Sequence, residues 1–238
     1  MWELHEYKNQ SALLNNLTVR ISDLLCKQIQ QGGKASIALS GGSTPKTLYQ
    51  QLSGQSLPWQ SVIISLVDER WVAEVNASSN ARFIKNTLIQ NQAARAIFIG
   101  MKTSHRDVFA AAESLSNILE RHTLPLDLVL LGMGLDGHTA SLFPDAKGLT
   151  EALSDTCRPV CCAIQPQPSA DDANPTARMT LSLNTILSAS VRILYISGAA
   201  KRDVLEQAFI PGSVTDMPVR AVLHDSQTMT EIYYAPDD

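Results

Sequence analysis

Asp136-Gly137-His138 is the segment of this chain best suited to move a proton. It lies inside Gly132-Met133-Gly134-Leu135-Asp136-Gly137-His138-Thr139-Ala140-Ser141-Leu142-Phe143-Pro144. A histidine titrates nearest neutral pH, so it can accept a proton and return it within one cycle. An aspartate two residues earlier can pin the imidazole or bind substrate hydroxyls. Gly132, Gly134 and Gly137 imply an irregular loop with little side-chain bulk. A structural histidine beside a glycine turn is the plain alternative. The loop directly follows the apolar run Leu128–Leu131, and residues at a strand's carboxyl end are disproportionately functional.

Four shorter segments could supply the rest of a site. In Ser40-Gly41-Gly42-Ser43-Thr44-Pro45 the glycines let backbone approach a ligand, and the following helix offers free N–H groups to an anion. The same residues could form only a capped turn. The segment lacks the Gly-Lys-Ser/Thr ending of a Walker loop and the GxGxxG spacing of a dinucleotide site. Asp68-Glu69-Arg70-Trp71 places three charges after an apolar strand. They read either as a solvated strand end or as an arginine near an anion with an acid near a hydroxyl. Arg178 in Arg-Met-Thr-Leu and Lys201 in Gly-Ala-Ala-Lys could each add a cation.

The elements that must position these groups follow from periodicity. Leu14, Leu17, Ile21 and Ile29 recur at steps suited to a helix over 12–30, stopped by Gly32-Gly33. Ile37–Leu39, Val62–Val67, Ile97–Ile99, Leu128–Leu131 and Val191–Ile196 read as buried strands. Helices are predicted after Pro45, over 78–90, over 106–121 and over 199–209. Residues 165–177 read as an exposed loop and Glu231–Tyr234 as an edge strand. Strand and helix thus alternate, which predicts an α/β fold with a mostly parallel sheet covered by helices on both faces, in a single domain over 1–238. Segments 40–45, 68–71, 132–144 and 197–201 all follow strands and can meet in one cleft.

Composition narrows the function further. A net charge of −4 argues against nucleic-acid and membrane-surface partners, which need a basic face. An anionic small substrate then requires a local positive site. Cys26, Cys157, Cys161 and Cys162 fit neither a disulfide framework nor a CxxC zinc pattern, so they read as reduced thiols of a cytoplasmic protein. The polar start Met1–Glu6 does not read as a signal peptide. His5, His105, His122 and His224 lack metal-ligand spacing, so no metal site is expected. No Gly-x-Ser-x-Gly elbow marks a serine esterase.

Together, SGGSTP at 40–45, DERW at 68–71, GMGLDGHTASLFP at 132–144, RMTL at 178–181 and SGAAK at 197–201 resemble the 6-phosphogluconolactonase family. The resemblance runs from about Ile37 to Arg220. It implies a Rossmann-like sheet shared with glucosamine-6-phosphate deaminase and ribose-5-phosphate isomerase. It also implies hydrolysis of 6-phosphoglucono-1,5-lactone in the pentose phosphate pathway, without a cofactor. His138 matches the family's general base and Asp136 its acidic partner. Gly41, Gly42, Ser43, Thr44, Asp68, Arg70 and Lys201 fall in the segments associated with substrate and its phosphate. Arg178 matches a ligand of either phosphate or carbonyl oxygen. The chain departs from the family in Val72–Ser79, which lacks the expected prolines, and at 165–177. A glucosamine-6-phosphate-type deaminase is the alternative, but that family carries Asp-Glu-Tyr where this chain has Asp68-Glu69-Arg70. It also has Asn-Glu-Pro after its histidine, in place of Ser141–Pro144. A sugar-phosphate-sensing regulator is a third reading; one helix before Ile37 leaves no room for a DNA-binding module, and such a protein could dispense with His138. The expected partner is a phosphorylated sugar lactone, bound by a monomer or small homo-oligomer.

Overall fold

The structure, a computed structural model, describes residues 1–168 and 175–237. The chain opens with strand β1 (Trp2–Glu6) and helix α1 (Gln10–Gly32). Asn9 caps α1 by accepting the Ala12 N–H at 2.9 Å, and Gly33 ends it with φ +77°. A left-handed residue there suits glycine. Leu13, Leu17, Ile21 and Leu25 form the buried stripe of α1. Truncating the fully buried Leu17 to alanine is expected to cost about 2–5 kcal/mol. Strand β2 (Ala35–Leu39) is buried along its whole length, and α2 (Lys46–Ser53) follows it. Strand β3 (Val62–Leu66) passes through Val67 into a short strand, β4 (Asp68–Arg70). Helix α3 (Asn80–Thr87), β5 (Ile97–Phe98), α4 (Val108–Thr123) and β6 (Leu128–Leu131) come next. After α5 (Leu149–Leu153) come β7 (Cys161–Ile164), β8 (Arg178–Leu181) and α6 (Leu183–Leu187). Strand β9 (Val191–Ser197), helices α7 (Ala199–Phe209) and α8 (Val219–Leu223), and β10 (Thr230–Ala235) complete the chain.

Seven strands form one sheet in the order β1-β10-β9-β6-β2-β3-β5. Every neighbouring pair in it is parallel. From β2 the chain moves outward through β3 and β5, then returns to β6 and moves the other way through β9. The order therefore reverses between β2 and β6, and a crevice opens at their carboxyl ends. Parallel strands buried on both faces need near-continuous apolar sequence, which Leu128–Leu131 supplies and Ala35–Leu39 breaks only at Ser36.

Two expectations need correction. Glu231–Tyr234 is not an edge: β10 lies between β1 and β9, and the edge is β1. The polar, half-exposed Trp2–Glu6 carries no apolar signal that would have announced it. The charges of 68–70 are not a solvated strand end either. They form β4 in a second, antiparallel sheet of order β4-β8-β7. Asp68 and Glu69 are both buried, at 6% and 1% exposure. Part of the 165–177 loop, residues 169–174, lies outside the described residues. No helix among the described residues is long and apolar enough to cross a membrane.

Candidate active site

The four segments that follow β2, β3, β6 and β9 converge on one cleft of about 350 Å³. Its walls carry Gly41, Gly42, Ser43, Thr44, Asp68, Arg70, His138, Arg178 and Lys201. Asp136 stands behind His138 rather than on the wall. Sequence reasoning did not single out Asn80 and Tyr195, which also line the cleft. Asn80 starts a helix after the Ser79 cap, and Tyr195 sits inside an apolar strand, so neither position has a local chemical signal.

The histidine loop is built around close backbone approaches. Gly134 N–H donates to the His138 carbonyl at 2.9 Å, and Gly137 N–H to the Gly134 carbonyl at 3.1 Å. Gly137 adopts φ +77°. A Cβ on Gly134 would lie 2.2 Å from His138 Nδ1 and Cε1 and 2.6 Å from Asp136 Oδ1. The missing side chain is the space that the imidazole and carboxylate occupy. His138 Nδ1 is 2.5 Å from Asp136 Oδ1, and the His138 backbone N–H donates to the same oxygen at 3.1 Å. Burial pushes the Asp136 carboxyl up, but these two hydrogen bonds and the attraction to His138 prevail and hold it below its usual range. An ionised carboxylate only accepts, so Nδ1 is the donor in this contact, and Nε2 is the nitrogen left to exchange a proton with a ligand. The Phe143 ring, with its centroid 4.2 Å from that of His138, limits where the imidazole can tilt.

The same cleft gathers three cations, Arg70, Arg178 and Lys201. In the antiparallel register of the small sheet, Arg70 stands directly opposite Arg178. Like charges so placed repel. Arg70 Nη1 donates to Asn80 Oδ1 at 2.5 Å and to the Ser78 carbonyl at 3.1 Å. Arg70 Nε is buried and has no hydrogen-bond acceptor. Arg178 Nε donates to the Thr176 carbonyl at 3.2 Å, and its guanidinium lies 5.5 Å from the Phe143 ring centroid. Lys201, in the first turn of α7, is pushed below the usual lysine range by burial, with Asp237 opposing the shift. In the 40–45 loop, Gly42 has φ +95°, and a Cβ on Gly41 would lie 2.0 Å from Asn80 Oδ1.

The two carboxylates of β4 serve the architecture. Asp68 Oδ2 accepts from Ser141 Oγ at 2.5 Å, and Asp68 Oδ1 from Asn80 Nδ2 at 3.1 Å. Asp68 thereby ties the histidine loop to the Arg70 strand. Glu69 turns to the N-terminus of α3. It accepts from the N–H groups of Asn80 and Ala81 at 2.7 and 2.8 Å, from Ser79 Oγ at 3.0 Å and from Arg70 N–H at 2.8 Å. A carboxylate there also meets the positive end of the helix dipole. Burial still raises the Glu69 carboxyl above its usual range, with those four bonds opposing it. Among the described residues, no group of three or more His, Cys, Asp or Glu side chains could hold a metal ion.

Comparison with known proteins places this cleft in a family. Residues 8–231 match the family described as glucosamine-6-phosphate isomerases/6-phosphogluconolactonase. A 6-phosphogluconolactonase of Rhizobium meliloti is 36% identical over 233 residues, covering 98% of each chain. Another, from Pseudomonas aeruginosa, is 36% identical and covers 90% of this chain and 87% of its own. The crystal structure of a 6-phosphogluconolactonase from Shewanella baltica superposes with a TM-score of 0.93 at 36% identity, covering 99% of this chain and 98% of the other. With the parallel sheet, the glycine-built histidine loop and the cations gathered beside it in one cleft, these likenesses settle the kinship: the chain belongs to the glucosamine-6-phosphate isomerase/6-phosphogluconolactonase family.

Proposed function

We propose that this protein hydrolyses 6-phospho-D-glucono-1,5-lactone to 6-phospho-D-gluconate, in the oxidative pentose phosphate pathway. The observation that carries the reading is the cross-strand pair Arg70 and Arg178, set with Lys201 in the same cleft as the His138–Asp136 couple. A protein of net charge −4 that gathers three cations into one small cleft is suited to a dianion. The cleft then has two ends with separate tasks. Gly42, Ser43, Arg70 and Lys201 hold the phosphate, and Arg178 meets either the phosphate or the carbonyl oxygen.

At the reacting end, His138 Nε2 takes a proton from water as the water oxygen adds to the lactone carbonyl carbon. Asp136 stabilises the imidazolium that forms. The tetrahedral adduct collapses, the bond from carbon to ring oxygen breaks, and the imidazolium returns its proton to that oxygen. Atoms and charge balance without a cofactor. Residues 1–238 act as one functional unit in this reading, and the cytoplasm is its compartment.

The family description also names isomerases, so deamination of glucosamine-6-phosphate is the competing activity. Arg70 in place of a tyrosine and Ser141–Pro144 after the histidine loop favour the lactonase. The test is turnover of fresh 6-phosphogluconolactone, with spontaneous ring opening subtracted, beside an ammonia assay with glucosamine-6-phosphate. Lactone hydrolysis without ammonia release is expected. Ammonia release with lactone decay at the buffer rate overturns the reading, and neither activity favours a binding-only protein.

A further inference from the structure

The cysteines are the feature of the sequence that the lactone cleft leaves unused. Cys161 and Cys162 sit on β7, and Cys157 lies in the turn that leads into it. Adjacent residues of a strand point to opposite faces. Cys161 accordingly turns toward α4, with its Sγ 3.4 Å from Ser116 Oγ and 3.7 Å from the Ala112 carbonyl. Cys162 turns the other way, and its Sγ lies 3.5 Å from Cys157 Sγ. The two sulfurs therefore already touch. A disulfide needs them at about 2.05 Å, a closure of about 1.5 Å.

The pair also has an entrance. A hollow of about 640 Å³, lined by Glu151, Ser154, Cys157, Arg158 and Pro159, opens on Cys157 and shares no wall residue with the lactone cleft. Cys162 is screened behind Cys157, at 4% exposure against 9%. The backbone is held on both sides. Cys157 N–H donates to the Ser154 carbonyl at 3.1 Å, the Cys157 carbonyl accepts from Asn184 Nδ2 at 3.0 Å, and Cys162 is paired with Thr180 in the small sheet. Closure thus falls to side-chain rotation rather than to unfolding of the turn.

We propose that Cys157 and Cys162 form an oxidisable dithiol that takes hydrogen peroxide through this hollow and closes to a reversible disulfide. In the first step Cys157 sulfur attacks a peroxide oxygen, the O–O bond breaks, and water leaves a sulfenic acid on Cys157. In the second, Cys162 sulfur attacks Cys157 Sγ and expels the hydroxyl as water. Two thiols and one peroxide become one disulfide and two waters. Burial, with Cys157 adding to it, pushes the Cys162 thiol well above its usual range. Burial likewise pushes Cys161 up to about 11. With its thiolate so disfavoured, Cys162 resolves the sulfenic acid slowly.

The test is thiol counting on the whole protein. Protein exposed to hydrogen peroxide is unfolded and alkylated without reductant, and the peptide spanning residues 148–178 is fragmented. The unexposed protein carries four alkyl groups, one for each free cysteine. After oxidation only Cys26 and Cys161 are expected to label, and prior dithiothreitol restores all four. Cys161→Ala should still form the bond. Cys157→Ser, a conservative change in the turn, should abolish it and leave all its remaining cysteines labelled. In Cys162→Ala the sulfenic acid should persist on Cys157 and react with dimedone. Full labelling of oxidised wild type, a bond that involves Cys161, or equal loss of labelling in Cys157→Ser overturns the proposal.

Discussion

Gly134→Ala tests whether the fit between the histidine loop and its imidazole controls turnover. The added methyl would start 2.2 Å from His138 Nδ1 and Cε1, whereas ordinary contact begins near 3.4 Å. The ring must therefore retreat by about 1.2 Å, and a misplacement of about 1 Å can cost about 10²-fold in rate. The methyl would also lie 2.6 Å from Asp136 Oδ1, so the ring cannot retreat with its hydrogen bond intact. Gly134 has no left-handed φ, and alanine adds no backbone strain there. The expected result is kcat lower by about 10²-fold, within the span that general base catalysis contributes. KM for the phosphorylated lactone should change little, because the cations stand on other elements. The assay is an initial-rate series on fresh 6-phosphogluconolactone with spontaneous opening subtracted, together with a thermal melt of each protein. A folded Gly134→Ala enzyme with near wild-type kcat would refute the argument that the His138–Asp136 geometry sets the rate.

His138→Ala should lose about 10²–10⁴-fold in kcat and keep its fold, and His138→Asn should rescue nothing, because an amide is no base. Glucono-1,5-lactone without its phosphate should react with a kcat/KM lower by about 10²–10⁴-fold, from roughly two charge-assisted hydrogen bonds of about 1.5–3 kcal/mol each. Arg70→Ala should weaken the phosphorylated reaction strongly and the plain one little; similar values for both lactones would remove Arg70 from the phosphate site. Activity should survive EDTA, because the described residues offer no metal-ligating group of side chains; loss on chelation that a divalent cation restores would contradict this. Burial lowers Lys201 from 10.5, so its charge is lost earlier as pH rises. Affinity for the product 6-phosphogluconate, measured calorimetrically, should fall on an alkaline limb that begins below that value, and Lys201→Arg should move the limb upward. An unchanged limb in Lys201→Arg would separate Lys201 from phosphate binding.

Much of the large sheet was legible because long parallel strands need unbroken apolar runs. Leu128–Leu131 is such a run and Val191–Ile196 is broken only by Arg192, so they could hardly be anything else once helical patterns flanked them. The cleft was legible for a related reason. Segments with glycine, charge and histidine stood directly after those runs, where a doubly wound sheet exposes its ligands. The small sheet was not legible. Its strands have only three or four residues, too short for alternation to show. One of them, β4, carries charges whose burial depends on partners outside the strand. Asp68 is satisfied by Ser141 and Asn80, and Glu69 by the start of α3. The Asp68–Ser141 bond is tertiary, and the Glu69 bonds reach 10 to 12 residues on across an irregular turn, so neither shows in the pattern of the strand itself. The edge strand β1 escaped for the same reason: its register is set by β10, more than two hundred residues away.

The parts that sequence missed explain why the readable parts work together. The large sheet delivers the 40–45 loop, the histidine loop and the start of α7 to one crevice, but each hangs from its own strand. The small sheet joins the first two. Asp68 grips Ser141 in the histidine loop and Asn80 at the start of α3. Asn80 accepts a hydrogen bond from Arg70, and Gly41 in the 40–45 loop leaves the space that its side chain fills. One buried carboxylate and one buried amide thus connect the 132–144 loop, the Arg70 guanidinium and the 40–45 loop. Burying a carboxylate is costly unless it is hydrogen-bonded, and the bonds that satisfy Asp68 are the ones that tie the histidine loop to the start of α3. In the proposed reaction, that tie is what lets a substrate anchored by its phosphate present its carbonyl to His138. Asp68 therefore acts through geometry, and the cost of burying its charge is offset by contacts that hold the walls of the cleft together.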